Sequence, residues 1–206
     1  MGKFTEYIGS QFGNPRGFIG KVCCVIMNVI NQKMYKNTAA AMVLVPGERV
    51  LDIGYGNGFF LQRIYKKFRA DLYGIDISED MKVQAAKRNR RAAENGQLHL
   101  EVGDCCRLSY EADYFSGISS INTIYFWEDT VKGLSEIRRV LKPSKSFYNV
   151  VYTRRWLDKL SYTKKGFKKF DPEELIELGK KVGFENITVR DIVKGKSSAV
   201  IYTKNS

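Results

Sequence analysis

The chain is expected to form an α/β fold, a sheet covered by helices on both faces. Three observations carry that expectation. A buried β-branched run, Val50-Leu51-Asp52-Ile53, enters the glycine-rich turn Gly54-Tyr55-Gly56-Asn57-Gly58. An amphipathic segment follows, with Phe60, Leu61, Ile64, Tyr65 and Phe68 at helical spacing. The same strand-then-helix order then recurs along the chain.

Taken in order, residues 11–17 (Gln11-Phe12-Gly13-Asn14-Pro15-Arg16-Gly17) read as loop. Phe18, Ile19, Val22, Cys23, Ile26, Met27, Ile30 and Met34 recur at steps of one, three and four, a continuous apolar stripe on a helix. After the first strand and its helix at 58–70 come a strand ending at Asp76, a basic helix over 79–95 and a strand at 98–102. Ser78 is placed to cap the basic helix, with Glu79 and Asp80 at the positive end of its dipole. Residues 117–122 read as a strand and 129–141 as a helix with Val131, Leu134, Ile137 and Leu141 on one face and Pro143 beyond its end. A strand over 146–152 follows. Asp171-Pro172-Glu173-Glu174 opens the last helix with an acid at the cap, proline at the first position and glutamate three residues after the cap. Segments 187–193 and 198–203, joined at Gly195, close the chain as a hairpin.

The turn after the first strand is a ligand cradle: glycines at alternate positions let the backbone approach a ligand closely, and the next helix aims its amides into the gap. Charge selects the ligand. A dinucleotide pyrophosphate suits a bare glycine turn, and its fingerprint wants a third glycine where Phe59 stands. Asp52, two residues before Gly54, points to the same side of the strand and puts a carboxylate at the mouth. A cation is favoured there. S-Adenosylmethionine (SAM) carries a sulfonium and an ammonium and no phosphate.

On these residues the chain resembles the class I SAM-dependent methyltransferases. The resemblance implies a Rossmann-like three-layer sandwich with a seven-stranded, mostly parallel sheet, the last strand antiparallel. It also implies that Gly54, Tyr55, Gly56 and Gly58 hold SAM and that Asp76, eighteen residues beyond Gly58, binds both ribose hydroxyls. By the same resemblance Ile77 and Met81 flank the adenine, and Asp104, within Gly103-Asp104-Cys105, accepts from the adenine amino group. Asn122 and Thr123 touch the methionine end. Residues 46–206 then form the SAM-binding domain. Residues 1–45 form a helical cap or lid, because in related small-molecule enzymes such a segment lies over the cleft. Two other readings of the apolar stripe stay open: a helix docked on the sheet, or a membrane-surface helix. The second is disfavoured by a polar face showing only Lys21 and Lys33.

The expected reaction is in-line displacement of the SAM methyl group by a small-molecule acceptor, with S-adenosylhomocysteine as product. Tyr125, Phe126 and Trp127 after the fourth strand, with Tyr152 and Tyr162 of the following loop and Phe12 and Arg16 of the lid, are candidate acceptor-pocket residues. No general base is identified, and the sole histidine, His99, lies inside a strand with a structural role expected.

Composition bounds the rest. A chain of 206 residues, 44% apolar, can bury one full core, and no stretch reaches the roughly 18 uncharged apolar residues of a membrane span. Four cysteines fall as two adjacent pairs without zinc or disulfide-framework spacing, so neither a metal nor a secretory setting is expected, and a reducing cytoplasm is. The net charge of +12 raises an alternative, an RNA methyltransferase using the clusters at 87–91 and 154–169. Against it, Asn122 is followed by Thr123 and Ile124 with none of the prolines of the nucleic-acid amino methyltransferases. A SAM-binding protein without turnover is the third reading.

Overall fold

A computed structural model describes Gly9 and residues 17–206. The strands are β1 (Arg49–Ile53), β2 (Asp71–Asp76), β3 (Leu98–Val102), β4 (Phe115–Ile121), β5 (Leu141–Tyr152), β6 (Asn186–Val193) and β7 (Ser197–Thr203). They form one sheet in the order β3-β2-β1-β4-β5-β7-β6. The pairings from β3 across to β5 are parallel, and β7 runs antiparallel to both β5 and β6. Central β1 and β4 are buried almost throughout, as continuous apolar runs in a sheet covered on both faces should be, whereas edge strands β3 and β6 have no fully buried residue.

The described helices are α1 (Gly17–Ile30), α2 (Gln32–Ala41), α3 (Phe59–Phe68), α4 (Glu79–Arg88), α5 (Arg90–Glu94), α6 (Thr130–Val140), α7 (Arg154–Leu157) and α8 (Pro172–Lys181). Two apolar cores result. In one, Leu134, Ile137 and Leu175 of α6 and α8 bury Ile118, Phe147 and Tyr202 of the sheet. In the other, Met34, Phe60, Ile64 and Met81 of α2, α3 and α4 cover Val50, Leu72 and Val150. At α8, Pro172 opens the first turn and the Glu174 carboxylate accepts from the Asp171 amide, completing the expected box.

Several expectations need correction. The apolar stripe of residues 18–34 is not one helix with one buried face. The helix breaks at Asn31, and Val22, Ile26 and Ile30 are exposed while Cys23 and Met34 are buried. The segment is apolar all round, so periodicity alone could not say which side faces the protein. The helix expected over 79–95 also breaks, at Asn89, whose buried amide donates to the carbonyls of Gly58 and Ala85. Ser78 stands at the cap of α4, but its side chain makes no capping bond; the cap amide is instead held by Asp76 Oδ1 at 3.0 Å. β5 begins at Leu141 rather than 146, passing through Pro143 and a left-handed Ser144 where its register with β4 shifts.

Candidate functional site

Chain order puts β2 on one side of β1 and β4 on the other, so the crevice opens where β1 and β4 diverge at their carboxyl ends. Gly54 and Gly58 are needed there for separate reasons. Gly54 has φ +69°, and a Cβ on it would lie 2.3 Å from the Thr123 methyl; Gly58, φ +72°, starts α3, and a Cβ would strike Ala85 of α4. Tyr55 turns inward instead, its ring on Gly74 and its hydroxyl donating to the Glu101 carbonyl at 3.2 Å.

Three carboxylates meet the cleft. Asp52 Oδ1 accepts from Ser119 Oγ at 2.7 Å, and burial, reinforced by the negative charge of Asp76 and opposed by the Ser119 bond, pushes its carboxyl up to about 7. Asp76, at the end of β2, accepts from the Gly56 amide at 2.8 Å and the Ser78 amide at 3.0 Å. Burial raises its carboxyl too, against the amides of Gly56, Ser78 and Ile77 that favour the ionised form. Asp104 accepts from the Cys106 amide at 2.9 Å. No Lys, Arg or His is among the described residues that line this cleft, although the whole chain is strongly basic.

The far wall is the turn after β4. Asn122 takes φ +61°, a left-handed conformation tolerated by asparagine, and its Oδ1 accepts from the Tyr125 hydroxyl at 3.1 Å. Thr123 Oγ1 lies 2.7 Å from Ser120 Oγ and accepts from Trp127 Nε1 at 3.3 Å. Over the top runs the α1–α2 junction. Asn31 Oδ1 accepts from the Tyr152 hydroxyl at 2.8 Å and from Asn122 Nδ2 at 3.2 Å, and Asn28 Nδ2 donates to Asn57 Oδ1 at 3.2 Å. The roof is thus tied by side-chain hydrogen bonds to both banks of the cleft. The space below it, part of it open to solvent, is about 1030 Å³.

Of the residues expected from sequence, Asp52, Gly54, Tyr55, Gly56, Asp76, Ile77, Gly103, Asp104, Cys105, Asn122 and Thr123 line this one cleft, together with Phe126 and Trp127. Gly58 and Met81 do not line it. Gly58 packs α3 on α4, and Met81 is buried with its sulfur 3.5 Å from the Cys24 thiol. Tyr125 and Tyr152 stand behind the wall, the Tyr125 hydroxyl between Asn122 and the Tyr152 backbone. Tyr162 lies further out, its ring edge-on to Phe167. Phe12 and Arg16 lie outside the described residues. His99 is on edge strand β3, stacked on Tyr73 with centroids 4.4 Å apart and Nε2 3.3 Å from Asp71, away from the cleft.

Sequence reading missed Asn28, Asn31, Tyr35 and Phe59, which also line the cleft. Asn28, Asn31 and Tyr35, spaced three and four apart at helical steps, were the available signal. Asp104, Cys105 and Cys106 bring their ligand-type atoms within 4.8 Å of one another. Burial raises both thiols, and Cys106 donates to the Asp129 carbonyl.

This geometry, acids at the ends of three successive parallel strands around a glycine cradle, is similar to that of the class I SAM-dependent methyltransferases. Comparison with known proteins agrees. The model of the family described as "Methyltransferase domain" matches residues 50–144. The chain is 32% identical over 119 residues to the uncharacterized methyltransferase YdaC of Bacillus subtilis (strain 168), covering 57% of this chain and 64% of that one. It is 26% identical over 178 residues to 24-methylenesterol C-methyltransferase 3 of Arabidopsis thaliana, covering 80% of this chain and 50% of the relative. The chain therefore spans about half to two thirds of the length of these curated relatives. Among solved structures, phosphoethanolamine N-methyltransferase 2 of Haemonchus contortus in complex with SAM superposes with a TM-score of 0.71. Identity is 20%, over 85% of this chain and 53% of that one, a likeness of fold alone.

Proposed function

We propose that the chain is a SAM-dependent methyltransferase acting on a small-molecule acceptor, and the observation that carries this is the sign of the cleft. In a chain of net charge +12, its wall holds three carboxylates and, among the described residues, no cationic side chain. A pyrophosphate or an RNA backbone entering there finds carboxylates and, among the described residues, no basic side chain, whereas a sulfonium and an ammonium meet opposite charge in a partly desolvated setting.

Asp76, fixed by the Gly56 and Ser78 amides, keeps lone pairs for two ribose hydroxyls. Ile77 and Cys105 offer apolar surface to an adenine and Asp104 an acceptor for its amino group, while Asp52 and the Gly54 turn face the methionine end. SAM, when bound, supplies a methyl group on a sulfonium, from which the neutral thioether of S-adenosylhomocysteine leaves readily. The chain's own residues bind, orient and exclude water. Phe126, Trp127 and Met27 give the acceptor side an apolar, aromatic wall, which suits an aromatic or otherwise apolar molecule. The basic loop over 154–169 is partly occupied in holding the fold: Arg154 pairs with Glu174, Lys169 with Asp158, and Lys168 donates to the carbonyls of Trp127 and Glu128. Its positive charge is therefore a weaker argument for RNA than the sequence suggested. The four cysteines are free thiols, which supports a reducing cytoplasm.

Calorimetry with SAM and S-adenosylhomocysteine tests the reading. Asp76→Ala should weaken both by about 1.5–3 kcal/mol, the value of hydrogen bonds to a charged group. Unchanged affinity removes Asp76 from the site.

A further inference from the structure

Helix α1 has two apolar faces, and the protein covers one. Cys24, Met27, Asn28 and Asn31 turn to the cleft. On the opposite side Val22, Val25, Ile26, Val29 and Ile30, at the i, i+3, i+4, i+7 and i+8 positions of one helical face, are between 42 and 69% exposed. A helix apolar all round belongs in a buried setting, and among the described residues nothing lies over this face.

Charge identifies the cover. From Tyr7 to Gly47 the sequence contains no acidic residue and four basic ones, Arg16, Lys21, Lys33 and Lys36. Beyond the end of α1 a shallow groove between α2 and α3 is lined by Lys36, Arg63, Lys66 and Lys67. The partners of Arg63 and Lys67 are the neutral Gln32 amide oxygen and the Ala39 carbonyl, so their charge stays uncancelled. We infer that this face of α1 docks on an anionic lipid surface, with its valines and isoleucines in the headgroup–acyl boundary and the α2–α3 basic groove against lipid phosphates. A second copy of the chain is the poorer fit, because it would oppose two basic rims. A protein partner is also a poorer fit, because the face is aliphatic only and has none of the Trp, Tyr or Arg anchors that dominate protein interfaces. Fourteen residues are too few to cross a bilayer, and no described helix is long and apolar enough to do so, so α1 lies along the surface.

The test is flotation of the full chain with phosphatidylcholine vesicles and with phosphatidylcholine–phosphatidylglycerol vesicles, at low and raised salt, for the wild type and for the V25D/V29D and V25S/V29S variants. The wild type should float with the anionic vesicles and lose that association as salt rises. V25D/V29D should partition at least about tenfold less, with V25S/V29S in between. Both variants should keep the wild-type circular dichroism and SAM affinity, since the altered side chains face away from the cleft. Failure of the wild type to bind anionic vesicles overturns the inference. So does undiminished binding of the variants, which would place the attraction in charge alone. A dimer in sedimentation that V25D/V29D abolishes overturns it in favour of a second copy. SAM binding is read separately, so none of these outcomes bears on the methyltransferase proposal.

Discussion

At the scale of single residues, Asp52 makes the sharpest claim. Its carboxyl is held near 7 in the folded chain against an ordinary value of 3.8, chiefly by burial and further by the charge of Asp76. Between those values the folded chain binds more protons than the unfolded one, so the ligand-free protein loses stability from this group as pH rises towards 7. A cation brought beside Asp52 reverses the balance, because it needs the carboxylate ionised. SAM affinity should therefore fall as pH drops below about 7. Calorimetry in buffers of different ionisation enthalpy at pH 6 should show proton release on binding, and Asp52→Asn should abolish both effects; a pH-independent affinity in the wild type would contradict this role. That Asp52 turns to the cleft was legible from strand alternation, which puts it on the same side as residue 54. That it is buried against Ser119 was not. Ser119 is sixty-seven residues away, on β4, and only the pairing of β1 with β4 brings the two together.

At the scale of elements, the α1–α2 roof is the part least readable from sequence. Strands and helices of the sheet domain announce themselves by period and caps, as with Asp129, whose side chain accepts from the Lys132 amide where the helix was expected to start. The N-terminal segment has too many apolar residues for period to choose a face. The choice is made by two asparagines that reach across the cleft, a tertiary event with no local signature. Basic residues counted along α1 alone were also too few to suggest a surface helix; those that matter come from α2 and α3. Among the bonds that hold the roof is that from the Tyr152 hydroxyl to Asn31. Asn31→Ala leaves the Tyr152 hydroxyl without this acceptor and the Asn122 amide with the Met34 sulfur alone, at a cost of about 1–3 kcal/mol. Hydrogen exchange should then show faster opening of α1 and α2 with the sheet unaffected, and SAM should dissociate faster. Equal acceleration throughout the chain would mean that Asn31 supports the whole fold rather than the roof.

At the scale of the whole molecule, the chain separates its charges. The chain as a whole is strongly basic, while the charged side chains on the described wall of the cleft are all acids. On the functions proposed above, the exterior meets an anionic surface and the cleft takes a cationic nucleoside in preference to a phosphate. This separation depends on topology: Asp52, Asp76 and Asp104 are spread over 53 residues of sequence and meet because β1, β2 and β3 are adjacent and parallel. The measurement that tests it most directly is competitive calorimetry of the wild-type chain with SAM, S-adenosylhomocysteine, NAD and ATP. The account predicts one site that takes SAM, takes its product through the shared adenosine contacts, and shows no heat with either phosphate-bearing nucleotide. Saturable binding of NAD or ATP, with both adenosyl compounds ignored, contradicts it.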